Sequence, residues 1–346
     1  MRFAFLACLF LPTASFAQEA ATLRVEGEEL NFRIGNRIVA LYKFAGTVGF
    51  EKDATKTKPL AKPYFFPLIA PNGVSVTRPW PLLRGKVAGE TTDHFHQKSA
   101  WFCHGDVIPE GLELKTKSAD KHVKGVDFWS ETAGHGRIVT VTSPTDGTTA
   151  PGTVGVTFRL RWDTADEVAI LDEERTLKLT KTAVGYRIDL ESKLTPTKYD
   201  ITFGDTKEGS MGIRIRDEFR ATVKNGGGTI TSADGTKVTS PAKDNLPLWG
   251  KLADWHDYSG TVDGKTAGIA IFDHPKNLHR AAWHTRAYGL MAANPFARSG
   301  SNFPGLKGND ALVKLKLGES LTLRYAMYIH DGDAGNVAAA YAEYVK

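Results

Sequence analysis

Cysteine is nearly absent from this 346-residue chain, which has only Cys8 and Cys103. Cys8 falls in an N-terminal stretch with the layout of a removable leader. Cys103 then stands alone, which excludes an intramolecular disulfide and leaves stability to the core. A solitary thiol reads as a small buried apolar group rather than a nucleophile. Long apolar runs are missing as well. The run from Phe3 to Pro12 is too short to cross a bilayer, which takes about 20 residues, and no later run approaches that length. With Arg2 before it and Ser15 and Ala17 after it, the run has the form of a secretory signal peptide. Residues 1–17 are expected to be removed, leaving 18–346 as one domain, periplasmic or secreted. N-terminal sequencing of exported protein is expected to begin at Gln18; another start, or a lipid on Cys8, contradicts this.

Basic blocks are equally scarce. The formal charge of +5 comes from 44 Lys and Arg against 39 Asp and Glu, with nothing denser than Lys56-Thr57-Lys58. That pattern excludes nucleic acid as the expected partner. The chain has no G-x-S-x-G, H-E-x-x-H, Walker loop or C-x-x-C. These absences turn the reading away from serine hydrolases, zincins, NTPases and dehydrogenases. Gly134-His135-Gly136 lacks the strand–helix setting of a nucleotide loop.

Glycine, by contrast, is plentiful at 34 residues, with 16 prolines, which implies many turns. Hydrophobicity alternates with period two. Val154, Val156, Phe158, Leu160 and Trp162 alternate with Thr157, Arg159 and Arg161. Val184 to Lys193 and Leu321 to Ile329 repeat the pattern, which marks strands with one wet face. Val337, Tyr341 and Tyr344 fall at helical spacing, with Asp333 as a potential N-cap. The expected fold is all-β: a large antiparallel sandwich with one C-terminal helix.

Polar residues that can do chemistry gather in three places. The first is Asp93-His94-Phe95-His96-Gln97-Lys98, followed by Trp101 and His104. In an extended strand His94, His96 and Lys98 share a face, which suits an acid–base pair or metal ligation. The second is Asp273-His274-Pro275-Lys276-Asn277, then Trp283-His284-Thr285-Arg286-Ala287-Tyr288, with Asn294 beyond. Sugar sites need flat apolar surfaces beside hydrogen-bond donors. Trp283, Tyr288 and Trp255 offer the first, and His284 and Arg286 the second. The third is Gly204-Asp205-Thr206-Lys207-Glu208-Gly209, in which Asp205 and Glu208 are carboxylates suited to general-base work.

Together these segments resemble the secreted bacterial proteins labelled the PmoA family. Their run Asp-His-Pro-His-His-Lys-Gly-Leu-Trp-Phe-Ala-His-Gly-Asp is resembled by Asp93 to Asp106, with Phe95, Gln97 and Ser99 among the departures. Pro63 to Leu68, Pro71 to Val74, Asp127-Phe128-Trp129, Phe203 to Gly209, Asp273 to Asn277, Trp283 to Gly289 and Ala293 to Phe296 also resemble the family. That group is uncharacterised, and its label borrows from a membrane enzyme subunit that this chain, lacking a span, does not resemble physically. The late segments are similar to the galactose-mutarotase-like β-supersandwich. That resemblance implies carbohydrate binding on a concave sheet, with His and Glu or Asp as working groups.

The leading reading is an exported carbohydrate-active enzyme of glycoside-cleaving, lyase or epimerase type. His94 or His96 would be the acid, Asp205 or Glu208 the base, with His284 beside them. Lys98, Trp101, His104, Trp283, Arg286, Tyr288 and Asn294 would hold the substrate. No metal or other cofactor is expected. A non-catalytic carbohydrate-binding protein is the second reading. A metal-dependent oxidoreductase ligated by His94, His96 and His104 is the third.

Overall fold

A computed structural model describes residues 19–346 apart from 51, 52, 54, 85, 86, 88, 151, 223–226, 244 and 245. The expected leader and Cys8 lie outside the described residues.

Two large antiparallel sheets face each other. The front sheet has eight strands in the order Ala21–Glu26, Glu29–Ile34, Arg37–Lys43, Tyr64–Leu68, Ala100–His104, Gly209–Arg214, Leu290–Asn294 and Ala282–Trp283. The back sheet is built around the long strands Thr153–Asp163, Ala169–Lys181, Gly185–Pro196, Leu321–Asp331 and Lys265–Asp273. Three of these are the segments whose alternation announces a half-wet strand. In Thr153–Asp163, Val154, Val156, Phe158, Leu160 and Trp162 are all buried, while Thr157 and Arg159 stay in water. The expected antiparallel sandwich with a C-terminal helix is the fold the chain adopts.

Phe102 of the front sheet meets Trp162 and Tyr325 of the back sheet, at ring centroids 6.2 and 6.1 Å apart. Burying such a side chain contributes about 2–3 kcal/mol. One polar network crosses this interior. Arg175 donates to Glu173 at 2.6 Å and to the Tyr42 hydroxyl at 2.6 Å, and Trp162 donates to Glu173 at 2.7 Å. Because each of these charges finds a partner, the network sits in the core without an orphaned charge.

The helix Val337–Tyr344 lies on the outer face of the back sheet, burying Val337 and Ala340 against Trp255, Phe272 and Tyr328. Asp333 does cap, but it caps the single 3₁₀ turn Ala334–Asn336 before the helix, accepting from Gly335 N at 3.0 Å. Cys103 is fully buried, and burial pushes its thiol up, as suits an inert packing group.

One expectation fails locally. Residues 93–98 form a turn, not a strand, and pairing begins only at Ala100. Gln97 N donates to His94 O at 2.9 Å, and His94 takes a left-handed φ of 46°. His94, His96 and Lys98 therefore do not share a strand face.

Candidate active site

The front sheet positions the candidate residues. Ladder register sets Trp101, Gly212 and Ala292 side by side on three adjacent strands. The Trp101 ring meets Trp129 edge-on at 4.9 Å. A Cβ on Gly212 would come 2.8 Å from both indoles, so only glycine lets that pair close over the strand.

The 91–98 turn forms one wall, and a buried arginine shapes it. Arg78, with no exposed side-chain surface, donates to the Asp93 carboxylate, to Thr91 Oγ1 at 3.2 Å and to the main-chain O of Asp93 at 2.9 Å. Arg214 rises from the sheet to the same carboxylate at 2.8 Å and to Gln97 Oε1 at 2.8 Å. Burial pushes the Asp93 carboxyl up, but His94, Arg214 and Arg78 outweigh it and hold it far below the usual range. Asp93 is thus a fixed anion. Its other oxygen lies 3.0 Å from His94 Nδ1. The His94 ring, 39% exposed, stacks on Tyr288 with centroids 5.0 Å apart and planes 10° off parallel. A non-glycine residue at positive φ is uncommon and costs about 1 kcal/mol or more. Here the cost holds an imidazole over an aromatic ring.

The opposite wall carries the carboxyl group. Glu208 follows the 203–207 loop, and its carbonyl accepts from Gly105 N at 2.7 Å. A Cβ at Gly105 would stand 2.8 Å from Glu208, so this approach also needs glycine. The Glu208 side chain is 30% exposed, and its Oε2 lies 3.9 Å from His284 Nδ1. Burial pushes its carboxyl up to about 7, with nearby Asp127 adding to the rise, against Lys207, His94 and Arg286. His284 is pushed the other way, down to about 3, by burial and then by Arg286 and Lys207. Its Nδ1 lies 3.1 Å from Lys207 O, which assigns the ring proton to Nδ1 and makes this histidine a neutral donor to a carbonyl.

His96 meets His94 edge-on at 5.8 Å. Behind it, Glu131 is surrounded by Lys98, Lys62 and Lys58 at 2.6, 3.0 and 3.4 Å. Burial, and then Lys62, hold the His96 imidazole well below its ordinary value.

Residues 29–343 match DUF6807, described as a family of unknown function. The chain belongs to that family. The family comparison gives this assignment and not the PmoA label that the motifs suggest. A search of curated proteins finds no match. Among solved structures, the chain is similar to a putative aldose 1-epimerase from Escherichia coli K12, at 11% identity over 90% of this chain and 99% of that one, with a TM-score of 0.33. It is also similar to a 4-alpha-glucanotransferase from Thermococcus litoralis, at 10% identity over 91% of this chain and 38% of that one, with a TM-score of 0.25.

Several expected substrate contacts of this DUF6807 chain belong to its interior. Trp283, at 0% exposure, faces inward, stacks on His256 at 4.2 Å and donates to Ala253 O. Trp101 is spent on Trp129, and Trp255 lies under the C-terminal helix. Strands covered on both faces bury every side chain, so an aromatic there says nothing about ligands. His104 is buried between Phe203 and Phe296, with Nε2 2.9 Å from Gly204 O. It does not complete a ligand set with His94 and His96. Among the described residues, no group of three or more His, Cys, Asp or Glu is placed to hold a metal.

Asn294 is a structural brace, donating to Thr206 O and accepting from Phe296 N and Ala297 N. Asp205 accepts from Arg298 N and Ser301 N and so secures the 298–301 turn. It is not the base. Lys98, 1% exposed, is spent on Glu131. His94 and Arg286 lie against Tyr288 and Glu208 lies beside His284, with His96 next to His94. Sequence reasoning missed Arg78, Arg214 and Glu131 as parts of the site. Arg214 had a signal: it is a lone charge in the apolar run Met211-Gly212-Ile213-Arg214-Ile215, where a buried guanidinium must have a partner.

Proposed function

We propose that this chain is an acid–base enzyme acting on a sugar, with Glu208 as the base and His94 as the acid. One observation carries the reading: a half-buried carboxyl held near pH 7 sits 3.9 Å from a neutral histidine, across from an imidazole anchored to Asp93. A group that titrates near neutrality can both take and return a proton. The Asp93 anchor occupies His94 Nδ1 and leaves Nε2 for the substrate, as an orienting carboxylate does for other catalytic imidazoles.

The geometry favours epimerase-type or lyase-type proton transfer over glycoside cleavage. Cleavage ordinarily uses two carboxyl groups facing one bond. Here Asp93 is locked by two arginines, Asp205 serves a turn, and Asp127 accepts from Trp129 N and Ser130 N. Export to the periplasm or medium fits a saccharide substrate and forms part of the proposal.

The test is a panel of mono- and oligosaccharides incubated with wild-type protein and Glu208→Gln, with products followed by proton NMR. Conversion by wild type alone supports the reading. Binding without conversion by either protein overturns it in favour of a carbohydrate-binding protein. With Glu208 as the base, kcat/KM is expected to rise through about pH 7, because the ionised form is the active one. A flat profile across pH 6–8 contradicts that assignment.

A further inference from the structure

The front sheet also carries a cavity of about 580 Å³, a size typical of small-molecule sites. Tyr42 points into the interior, where it meets Phe65 at 4.5 Å and Phe158 of the back sheet at 6.1 Å. Strand alternation therefore turns Leu41, Lys43, Tyr64 and Phe66 to the outer face. The register sets Lys43 between Glu29 and Tyr64 on the neighbouring strands. These residues line the cavity. Pro79, Pro81, Leu82 and Leu83 line it too, together with Phe95 of the 93–98 turn.

The lining is largely apolar, yet it holds an unpartnered polar group. Tyr64 is 7% exposed, and its hydroxyl has no hydrogen-bond partner among the described residues. Burial, then Glu29 and Glu131, push that hydroxyl up, so it stays a donor. A buried donor without a partner is costly, and a ligand oxygen relieves the cost. Beside it, Lys43 stands 3.5 and 4.0 Å from the carboxylates of Glu28 and Glu29. Lys98, the other cation of the lining, is held by Glu131 at 2.6 Å. Both cations already face carboxylates, so an anion has little to gain here. A sugar fits no better, because each of its hydroxyls needs a partner and prolines and leucines supply none. The lining suits a flat apolar ring with one neutral hydroxyl, which would accept from Tyr64 and donate to Glu29. Phe95 is engaged by Lys98 and Lys58, at 4.4 and 5.4 Å from its ring centre, which leaves the half-buried Phe66 as the stacking ring. We propose that this cavity is a binding site for a phenol, independent of the sugar reading above.

Calorimetry with 4-ethylphenol and its methyl ether, 4-ethylanisole, tests this. The phenol is expected to bind about three- to tenfold more tightly, since the ether cannot donate to Glu29. Tyr64→Phe keeps the ring and should weaken the phenol by about three- to tenfold. Leu83→Ser, at a position 46% exposed, should weaken phenol and ether alike. Glu208→Gln should bind both as wild type does, and loss of binding in that variant would place the ligand at the other site and overturn the proposal. The proposal also fails if 4-ethylphenol does not bind, or binds unchanged in both Tyr64→Phe and Leu83→Ser. Equal affinity for phenol and ether overturns the phenol as the ligand class. Displacement of the phenol by methyl glucosides reassigns the cavity to a sugar and overturns it as well. A wild type that dimerises in sedimentation, with Leu83→Ser monomeric, reassigns the face to a second copy of the chain, with the same consequence.

Discussion

Glu208→Gln is expected to reduce turnover by about 10²- to 10⁴-fold, the usual contribution of a positioned proton-transfer group. The same change should stabilise the protein in alkali. The carboxyl of Glu208 sits at about 7 in the folded chain against an ordinary 4.5. Between those values the folded state binds more protons than the unfolded one, so stability from this group falls as pH rises through the window. Glutamine carries no charge to desolvate. Above pH 7 the variant should therefore gain on the order of 1–3 kcal/mol, discounted for the partial exposure of the side chain. Below about pH 4 the two proteins should be equally stable, since both side chains are neutral. Urea unfolding at pH 4 and pH 9 measures both. A variant inactive and also less stable at pH 9 points to a structural carboxylate instead.

Glu131→Gln is expected to have the largest effect on stability, a loss of about 3–5 kcal/mol. Glu131 is 2% exposed and is the counter-charge for Lys58, Lys62 and Lys98, two of which are themselves buried. Burial pushes its carboxyl up, but the lysines outweigh this and hold it well below the ordinary value. Its contribution is therefore present above about pH 4.5 and is lost as pH falls through the lowered value. Removing the anion strands buried cations. Adding Lys98→Met to Glu131→Gln should recover part of the loss, because one stranded cation leaves and the aliphatic stem stays. Denaturant midpoints of the single and double variants check this. No recovery contradicts the assignment of Lys98 as a cation held by Glu131.

The long back-sheet strands were legible because one face is wet. In Thr153–Asp163 the alternation of Val156, Phe158 and Leu160 with polar residues is the register itself. The front-sheet strands beside the site are buried on both faces, so Trp101 and Trp283 carried no mark to separate a core aromatic from a sugar platform. The turn at 93–98 was illegible for another reason. Its shape is imposed by Arg78, fifteen residues upstream of Asp93, and by Arg214, 121 residues downstream. Local periodicity reads neighbours three or four residues apart and has no access to such partners. Residue type singled out His94, Glu208, His284, Arg286 and Tyr288, and the fold sets His94 and Arg286 against Tyr288 and Glu208 beside His284.

The most direct measurement is the titration of the Glu208 side-chain carboxyl by carbon-13 NMR, with its resonance identified by its loss in Glu208→Gln. A midpoint near pH 7 is predicted, matching the rising limb of kcat/KM. A midpoint in the ordinary range near 4.5 would leave Glu208 a permanently ionised surface carboxylate and contradict its role as the proton-transfer group.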